Sequence, residues 1–289
     1  MTSTPRILAT LLAATAVALT SACADSTAGR AGGTPPRIDL NALPPGQIVW
    51  QVGSDGGGYT PSDYRAATEP ELTIYANGDV YESKSPGLTN TAGQPWTFRV
   101  GHIGLGRLAR LLAGADASGL FHQADFGVPA ITDVGGTSVR LQSGTAPART
   151  IDVYALFYSE GDGNLTDTQR ANRAALRKLV GRFDRAVEHL NTAPWRPTRV
   201  AVIQRYVTGA TDPVGSPDPT SGRAWPGPAP ATLLTHKTYD GKCGVVRGVA
   251  AKLLYAAAVA HRSTRWTYHG QDVYLLVRAV LPGEPGCPN

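Results

Sequence analysis

"GHIGLGRLARLL", Gly101–Leu112, joins a strand-like pattern to a helical one. Within it Gly104-Leu105-Gly106-Arg107-Leu108-Ala109 matches the glycine fingerprint of a dinucleotide-binding loop. Such a loop follows a buried parallel strand that is apolar on both faces. The preceding "WTFRV" (96–100) instead alternates, with Trp96, Phe98 and Val100 on one side and Thr97 and Arg99 on the other. That is the pattern of a half-exposed antiparallel strand. The fingerprint also needs an acid about 20 residues on, at the end of a second strand. Asp125 stands at that distance but follows a helical pattern and "GLFHQA". Leu105, Leu108, Leu111 and Leu112 share one helical face, and Gly119 can stop the helix. The glycines therefore predict a turn into an amphipathic helix over 105–118 that covers an antiparallel sheet. The expected fold class is α+β, with no dinucleotide and no other cofactor.

Upstream of this stretch, "QIVWQV" (47–52) reads as a first strand. "ELTIYANGDVYES" (71–83) is a hairpin, because Asn77-Gly78 between two β-rich runs suits a turn with φ > 0 at both central positions. "TSVRLQ" and "TIDVYALF" form another hairpin across "SGTAPAR". Leu176, Leu179, Phe183, Val187 and Leu190 recur at helical spacing over 167–190, and Thr166 with Gln169 forms a capping box. "NTAPWRP" (191–197) ends that helix and marks a boundary between an α+β domain, 47–192, and a smaller one, 193–289. The second half begins with the strand "RVAVIQRYV" (199–207). It continues with a Pro/Gly-rich loop over 208–230, a strand "GKCGVVRG", an Ala-rich helix over 249–261 and a hairpin of "TRWTY" with "DVYLLVRAVL". Each half has strand, helix and hairpin in that order, which leaves a duplicated unit open.

The chain begins "MTSTPRILATLLAATAVALTSAC". Arg6, the uncharged run Ile7–Leu19 and the small residues Thr20, Ser21 and Ala22 form a secretory signal, 1–22. Cys23 directly after small residues resembles the lipobox of bacterial lipoproteins, in which the cysteine is lipidated and becomes the N-terminus. Thr20 stands where an aliphatic residue is usual, and Leu19 sits one place early, so an ordinary cleaved signal is the alternative. Two or more acyl chains hold a protein stably to a membrane, so the expected membrane contact is a lipid anchor on Cys23. Residues 23–46, rich in Gly, Pro, Ser and Thr, read as a flexible tether. No other stretch approaches the ~20 apolar residues of a membrane span.

Removing residues 1–22 leaves 267 residues and lowers the formal charge from +5 to +4. No dense basic stripe of the kind nucleic-acid binders carry is visible. With Cys23 lipidated, Cys243 and Cys287 are an even pair in an oxidising compartment, and a disulfide is the default. It would contribute about 4 kcal/mol in the chain-entropy model. His236 lies near Cys243, but no further ligand stands at zinc spacing, and no metal is expected.

Catalytic signatures such as G-x-S-x-G, H-E-x-x-H, a P-loop or C-x-x-C are absent from the sequence. "EGDGNLTD" (160–167) echoes a calcium loop, but the required glycine is missing and Arg173 occupies the position of the bidentate Glu. Tyr59, Tyr64 and Trp225 lie in or beside loops, as do Trp195 and Tyr206. The first three are the candidate partner surface, since exposed aromatics near Gly-rich loops suit recognition.

"ELTIYANGDVY", "RLARLLAGADASGLF", "TIDVYAL", "CGVVRG" and "YLLVRAVLPGE", in that order, resemble uncharacterised secreted proteins and lipoproteins of actinobacteria over most of 47–285. The resemblance implies an exported envelope protein and carries no activity. Two expectations follow. The first is a non-catalytic envelope lipoprotein, on the outer face of the membrane or secreted, that binds a protein or cell-wall component. The second is an envelope-acting hydrolase whose carboxylates, such as Asp133, Asp152 or Asp240, converge with His102 or His236 in a cleft.

Overall fold

The computed structural model describes residues 38–54, 68–84, 95–158, 163–204, 222–238, 241–261 and 265–287. Cys23, Tyr59, Tyr64, Tyr206 and Asp240 lie outside them, as do the signal and most of the tether. Residues 35–289 form one compact unit. The fold is α+β, with antiparallel sheets and hairpins covered by helices.

The first sheet contains β1 (Ile48–Ser54), β2 (Leu72–Tyr75), β3 (Asp79–Lys84), β4 (Thr97–His102), β5 (Gly136–Leu141), β6 (Arg149–Tyr154) and β7 (Ala193–Pro194). Their order is β6-β5-β1-β2-β3-β4-β7, with every neighbouring pair antiparallel. Asn77-Gly78 lies in the tight turn between β2 and β3, but only Gly78 takes a positive φ. The Gly78 N–H bonds the Tyr75 carbonyl (2.9 Å), so Ala76 and Asn77 are the central residues, and the turn with φ > 0 at both Asn77 and Gly78 does not form. Gly78 has φ 87°, and a Cβ there would lie 2.5 Å from the Ile103 carbonyl oxygen. Glycine is required on both counts.

The fingerprint stretch takes the structure its alternation predicts. β4 pairs antiparallel with β3, and Gly104 is the N-cap of α1 (Leu105–Asp116). Leu108, Leu112 and Ala115 are buried, and Gly119 (φ 73°) leads into the short α2 (Leu120–Gln123). α3 (Asp167–Val187) carries both capping-box hydrogen bonds between Thr166 and Gln169. Its Phe183 stacks on Trp50 with ring centroids 3.8 Å apart.

Arg173 of α3 is 1% exposed. Its guanidinium donates to the carbonyls of Phe126 (2.9 Å), Tyr154 (2.7 Å) and Ala155 (2.8 Å). The cation that spoils the calcium pattern thus ties two chain segments to the helix. Ala155, at φ 51°, is held in the left-handed region at this clamp.

The tether ends earlier than composition implies. Asp39 accepts from the Asn41 N–H (3.0 Å) at the start of a single 3-10 turn, Leu40–Ala42. Ile38, Leu40 and Leu43 are buried in the first core. The apolar spacing of "IDLNAL" outweighs its Pro/Gly-rich flanks.

The second sheet contains β8 (Arg199–Gln204), β9 (Arg223–Ala224), β10 (His236–Thr238), β11 (Gly241–Arg247), β12 (Arg265–Tyr268) and β13 (Gln271–Ala279). Their order is β10-β11-β8-β13-β12-β9, antiparallel except for the parallel β12–β9 pair. α4 (Pro230–Leu233) crosses β11 so closely that the Leu233 carbonyl lies where a side chain on Gly244 would begin. α5 (Gly248–Ala260) packs on β8, β11 and β13.

The two halves, whose order of elements leaves a duplicated unit open, differ in connectivity. Both central strands, β1 and β8, are flanked by hairpins. β1 touches the first strand of each, β2 and β5, whereas β8 touches the second, β11 and β13. The boundary expected at 192/193 separates the sheets to within two residues, but it does not separate two bodies. β7 completes the first sheet, and Trp195 packs edge-on against Tyr81 (5.0 Å) and Phe98 (5.6 Å).

One face of the first sheet, with Trp50, Val52, Leu72, Ile74, Val139 and Leu141, lies under α1 and α3. The other presents Tyr75, Tyr81 and Phe98 to a shared core with Val200, Val202, Leu275 and Val277 of the second sheet and Leu254 and Tyr255 of α5. Tyr75 donates its hydroxyl to the Pro282 carbonyl (2.8 Å), and Tyr255 donates to that of Trp96 (2.6 Å). On the far face of the second sheet, Ala201, Ile203, Leu276 and Val280 surround Cys243 and Cys287. These two cysteines form a disulfide with Cα atoms 5.8 Å apart, closing a loop of sequence separation 44.

Replacing Arg173 by Ala removes the donor from the Phe126 and Tyr154 carbonyls, while the Ala155 carbonyl keeps the Tyr158 N–H (3.1 Å), so the expected loss of stability in urea unfolding is about 2 kcal/mol. A loss below about 0.5 kcal/mol, the scale of an ordinary surface change, would contradict the clamp.

Candidate functional site

"TEPEL", Thr68–Leu72, leads into β2 with a glutamate on each side of Pro70. Pro70 has no N–H to donate, while the Glu71 N–H bonds the Val52 carbonyl (2.8 Å) and holds the segment at the end of β1. The two acids go to different places. Glu69 enters the junction between the sheets, and Glu71 lines an open groove on the helix side.

Glu69 is 1% exposed. Its Oε2 lies 3.4 Å from Arg278 Nη1, and that same nitrogen lies 3.6 Å from Glu284 Oε2. Arg278 Nη2 donates to the Gly286 carbonyl (3.0 Å), and Glu284 accepts from the Leu281 N–H (3.1 Å). Among the described residues, Glu69 Oε1 and Arg278 Nε are buried without a hydrogen-bond partner. Burial raises the Glu69 carboxyl; Arg278 lowers it, and Glu284 raises it further. The balance pushes it up to about 8. At neutral pH Glu69 is therefore largely a neutral acid, and the Arg278 charge is matched by Glu284. A cavity of about 280 Å³ opens here, lined by Gln51, Ser54, Thr68, Glu69, Ser138 and Arg278 among others. A neutral carboxylic acid beside a cavity is chemically a proton donor.

The groove is larger, about 640 Å³, and lies between the open end of the β2–β3 hairpin and the C-terminal turns of α3. Glu71, Glu82, Asp184 and Glu188 supply its charge against a single Arg185, and Leu72, Trp96 and Val187 supply apolar surface. Burial by the groove walls raises the Glu71 carboxyl. Burial also raises Asp184, with Glu71 and Glu82 adding repulsion and Arg185 opposing it. Four acids line this groove in a chain of formal charge +5, and Asp184 is held close enough to Glu71 and Glu82 for their charges to repel. A cationic group entering the groove would relieve that repulsion.

The residues singled out from sequence fare differently. Trp225 is buried rather than exposed. It packs edge-on against Trp266 (5.2 Å), and its Nε1 donates to the Pro228 carbonyl (2.7 Å). The reason is that Arg223–Ala224 joins the sheet beside β12, drawing the loop onto the core, so Trp225 cannot serve as a partner surface. Tyr59 and Tyr64 lie outside the described residues. His102 bonds Asp79 (3.4 Å), its register partner across β3–β4, and not Asp133 or Asp152. Those two aspartates are exposed, on a loop and on β6, and His236 is exposed on β10 opposite Cys243. Glu69, Arg278 and the groove acids carry no local sequence signature, because their partners lie far along the chain.

Among the described residues, no group of three or more His, Cys, Asp or Glu side chains is placed to hold a metal ion. No helix there is long and apolar enough to cross a membrane. Comparison with protein-family models, with curated proteins and with solved structures returns no match.

The Glu69 carboxyl, raised from 4.5 to about 8, contributes stability that is present below about 4.5 and is lost as pH rises through about 8. Glu284, Arg278 and Tyr255 are the other titratable groups coupled to it. Glu69→Gln fixes the neutral form, so the decline in melting temperature between pH 4.5 and 9 should flatten. A variant with the unaltered slope would show that Glu69 is ionised throughout.

Proposed function

We propose that this chain is a non-catalytic cell-envelope lipoprotein. It is exported, held to the outer face of the membrane by lipid on Cys23, and binds a protein or cell-wall partner through cationic groups. The observation that carries the reading is the Cys243–Cys287 disulfide. A bridge buried against the second sheet suits maturation in an oxidising compartment. It agrees with the signal-like 1–22 and the lipobox-like placement of Cys23. The acidic groove narrows the partner, because its four carboxyls and apolar floor suit an ammonium or guanidinium group on a flexible chain.

A second reading, an envelope-acting hydrolase, draws on Glu69 as a neutral acid at the edge of a cavity. It is the weaker one, because Arg278 stands between Glu69 and Glu284 and neutralises the carboxylate that would act as base or nucleophile.

Carbodiimide joins carboxyls to amines that already touch them, and so it tests the binding reading in intact envelopes. The full-length chain should give a discrete adduct whose cross-link maps to Glu71, Asp184 or Glu188. In the triple variant Glu71→Gln, Asp184→Asn, Glu188→Gln the yield should fall about tenfold, the size of a lost charge-assisted contact. An adduct insensitive to the variant would remove the groove from the account. Release of soluble wall fragments that depends on Glu69 would favour the hydrolase.

A further inference from the structure

α5 buries Ala251, Leu254, Tyr255 and Ala258. Its opposite side is also apolar. Val249 is 73% exposed and Leu253 is 66% exposed, one turn apart, and Ala256 and Ala260 continue the same line in the open. Helical spacing of three and four residues puts all four on one stripe. Arg247 and Lys252 stand exposed beside it. Water gains nothing from a Val–Leu pair held out on a rigid helix, and such surfaces mark contact sites.

The charge around the stripe says what covers it. Between Asp240 and Asp272 the sequence contains five Lys and Arg and no Asp or Glu; of these Arg265 is paired with Asp272 (2.7 Å), while Lys242, Arg247 and Lys252 are exposed. Residues 193–289 carry eleven Lys and Arg against five acids, whereas 47–192 carry thirteen against fifteen. The positive excess of the chain is thus concentrated in the half that contains α5, while the acidic groove belongs to the other half. The exposed apolar stripe of α5, with Arg247 and Lys252 beside it, is complementary to the apolar boundary and the anionic headgroups of a membrane surface.

We propose that the exposed face of α5 rests on the anionic lipid bilayer, with Val249 and Leu253 entering the boundary between headgroups and acyl chains and Arg247 and Lys252 pairing with phosphates. The proposal deepens the reading of a membrane-anchored protein: the body is held flat by a second contact besides Cys23. A lipid anchor raises the local concentration of the helix at the surface, so a weak contact is enough.

The test uses residues 35–289, the compact unit without Cys23, so it is independent of lipidation. Flotation with vesicles of phosphatidylcholine containing about 30 mol % phosphatidylglycerol should capture the protein, and vesicles of phosphatidylcholine alone should capture little. Raising salt from about 0.1 M to about 0.5 M should weaken capture. The double variant Val249→Asp, Leu253→Asp should lower binding about tenfold or more. Its melting temperature should be unchanged, since both side chains are exposed. Absence of binding to the anionic vesicles, or equal binding by the variant, would overturn the proposal. So would a dimer in sedimentation that the variant dissolves without any vesicle binding, because the stripe would then face a second copy. Labelling of the full chain with palmitate, lost in Cys23→Ser, reports separately on the anchor.

Discussion

The first sheet is apolar on both faces, and α1 and α3 cover only one of them. Tyr75, Tyr81 and Phe98 point away from α1 and α3 and would stand in water without the second sheet. Burying an aromatic or aliphatic side chain of this size is worth about 1.5–3 kcal/mol, so the uncovered face is a standing demand for a partner surface. The chain meets it with Val200, Val202, Leu275 and Val277 of β8 and β13, and with Tyr255 of α5. Two tyrosine hydroxyls then find backbone carbonyls across the junction. The two sheets form one body because neither side of the junction is complete alone.

The same demand explains why the C-terminal segment is held on so many sides. Pro282, Glu284 and Gly286 follow β13 and accept or make contacts with Tyr75 and Arg278. Cys287 then bonds Cys243 on the far face of the second sheet. Glu69 is carried into this junction by the chain's approach to β2 and is left with one unpartnered oxygen. Its burial holds the proton and keeps an uncompensated negative charge out of a crowded interface.

Local chemistry made much of the fold legible. The Asn77-Gly78 turn, the capping box at Thr166, the alternation of Trp96, Phe98 and Val100, and the stop at Gly119 each depend on residues a few positions apart. The sequence also pairs Cys243 with Cys287 once a third cysteine is assigned elsewhere. What stayed hidden is long-range. Arg173 looks like a surface cation of an amphipathic helix, yet its partners are carbonyls at 126, 154 and 155. The aromatic in "RAWPGP" looks exposed until a two-residue parallel strand turns it inward. The groove unites acids of a hairpin and of a helix about a hundred residues later. A connectivity that differs around β1 and β8 cannot be read from the order of elements alone.

Function, in this account, is arranged by charge and by compartment. An acidic groove and a basic, apolar helix face belong to different halves of the chain, and the proposed envelope location rests on the Cys243–Cys287 disulfide. All of this depends on maturation outside the membrane. Mass spectrometry of the protein isolated from its own cells examines that directly. The account predicts an N-terminus at Cys23 bearing acyl chains, together with a linked peptide pair containing Cys243 and Cys287. A product that retains Met1 and carries two free thiols would contradict it.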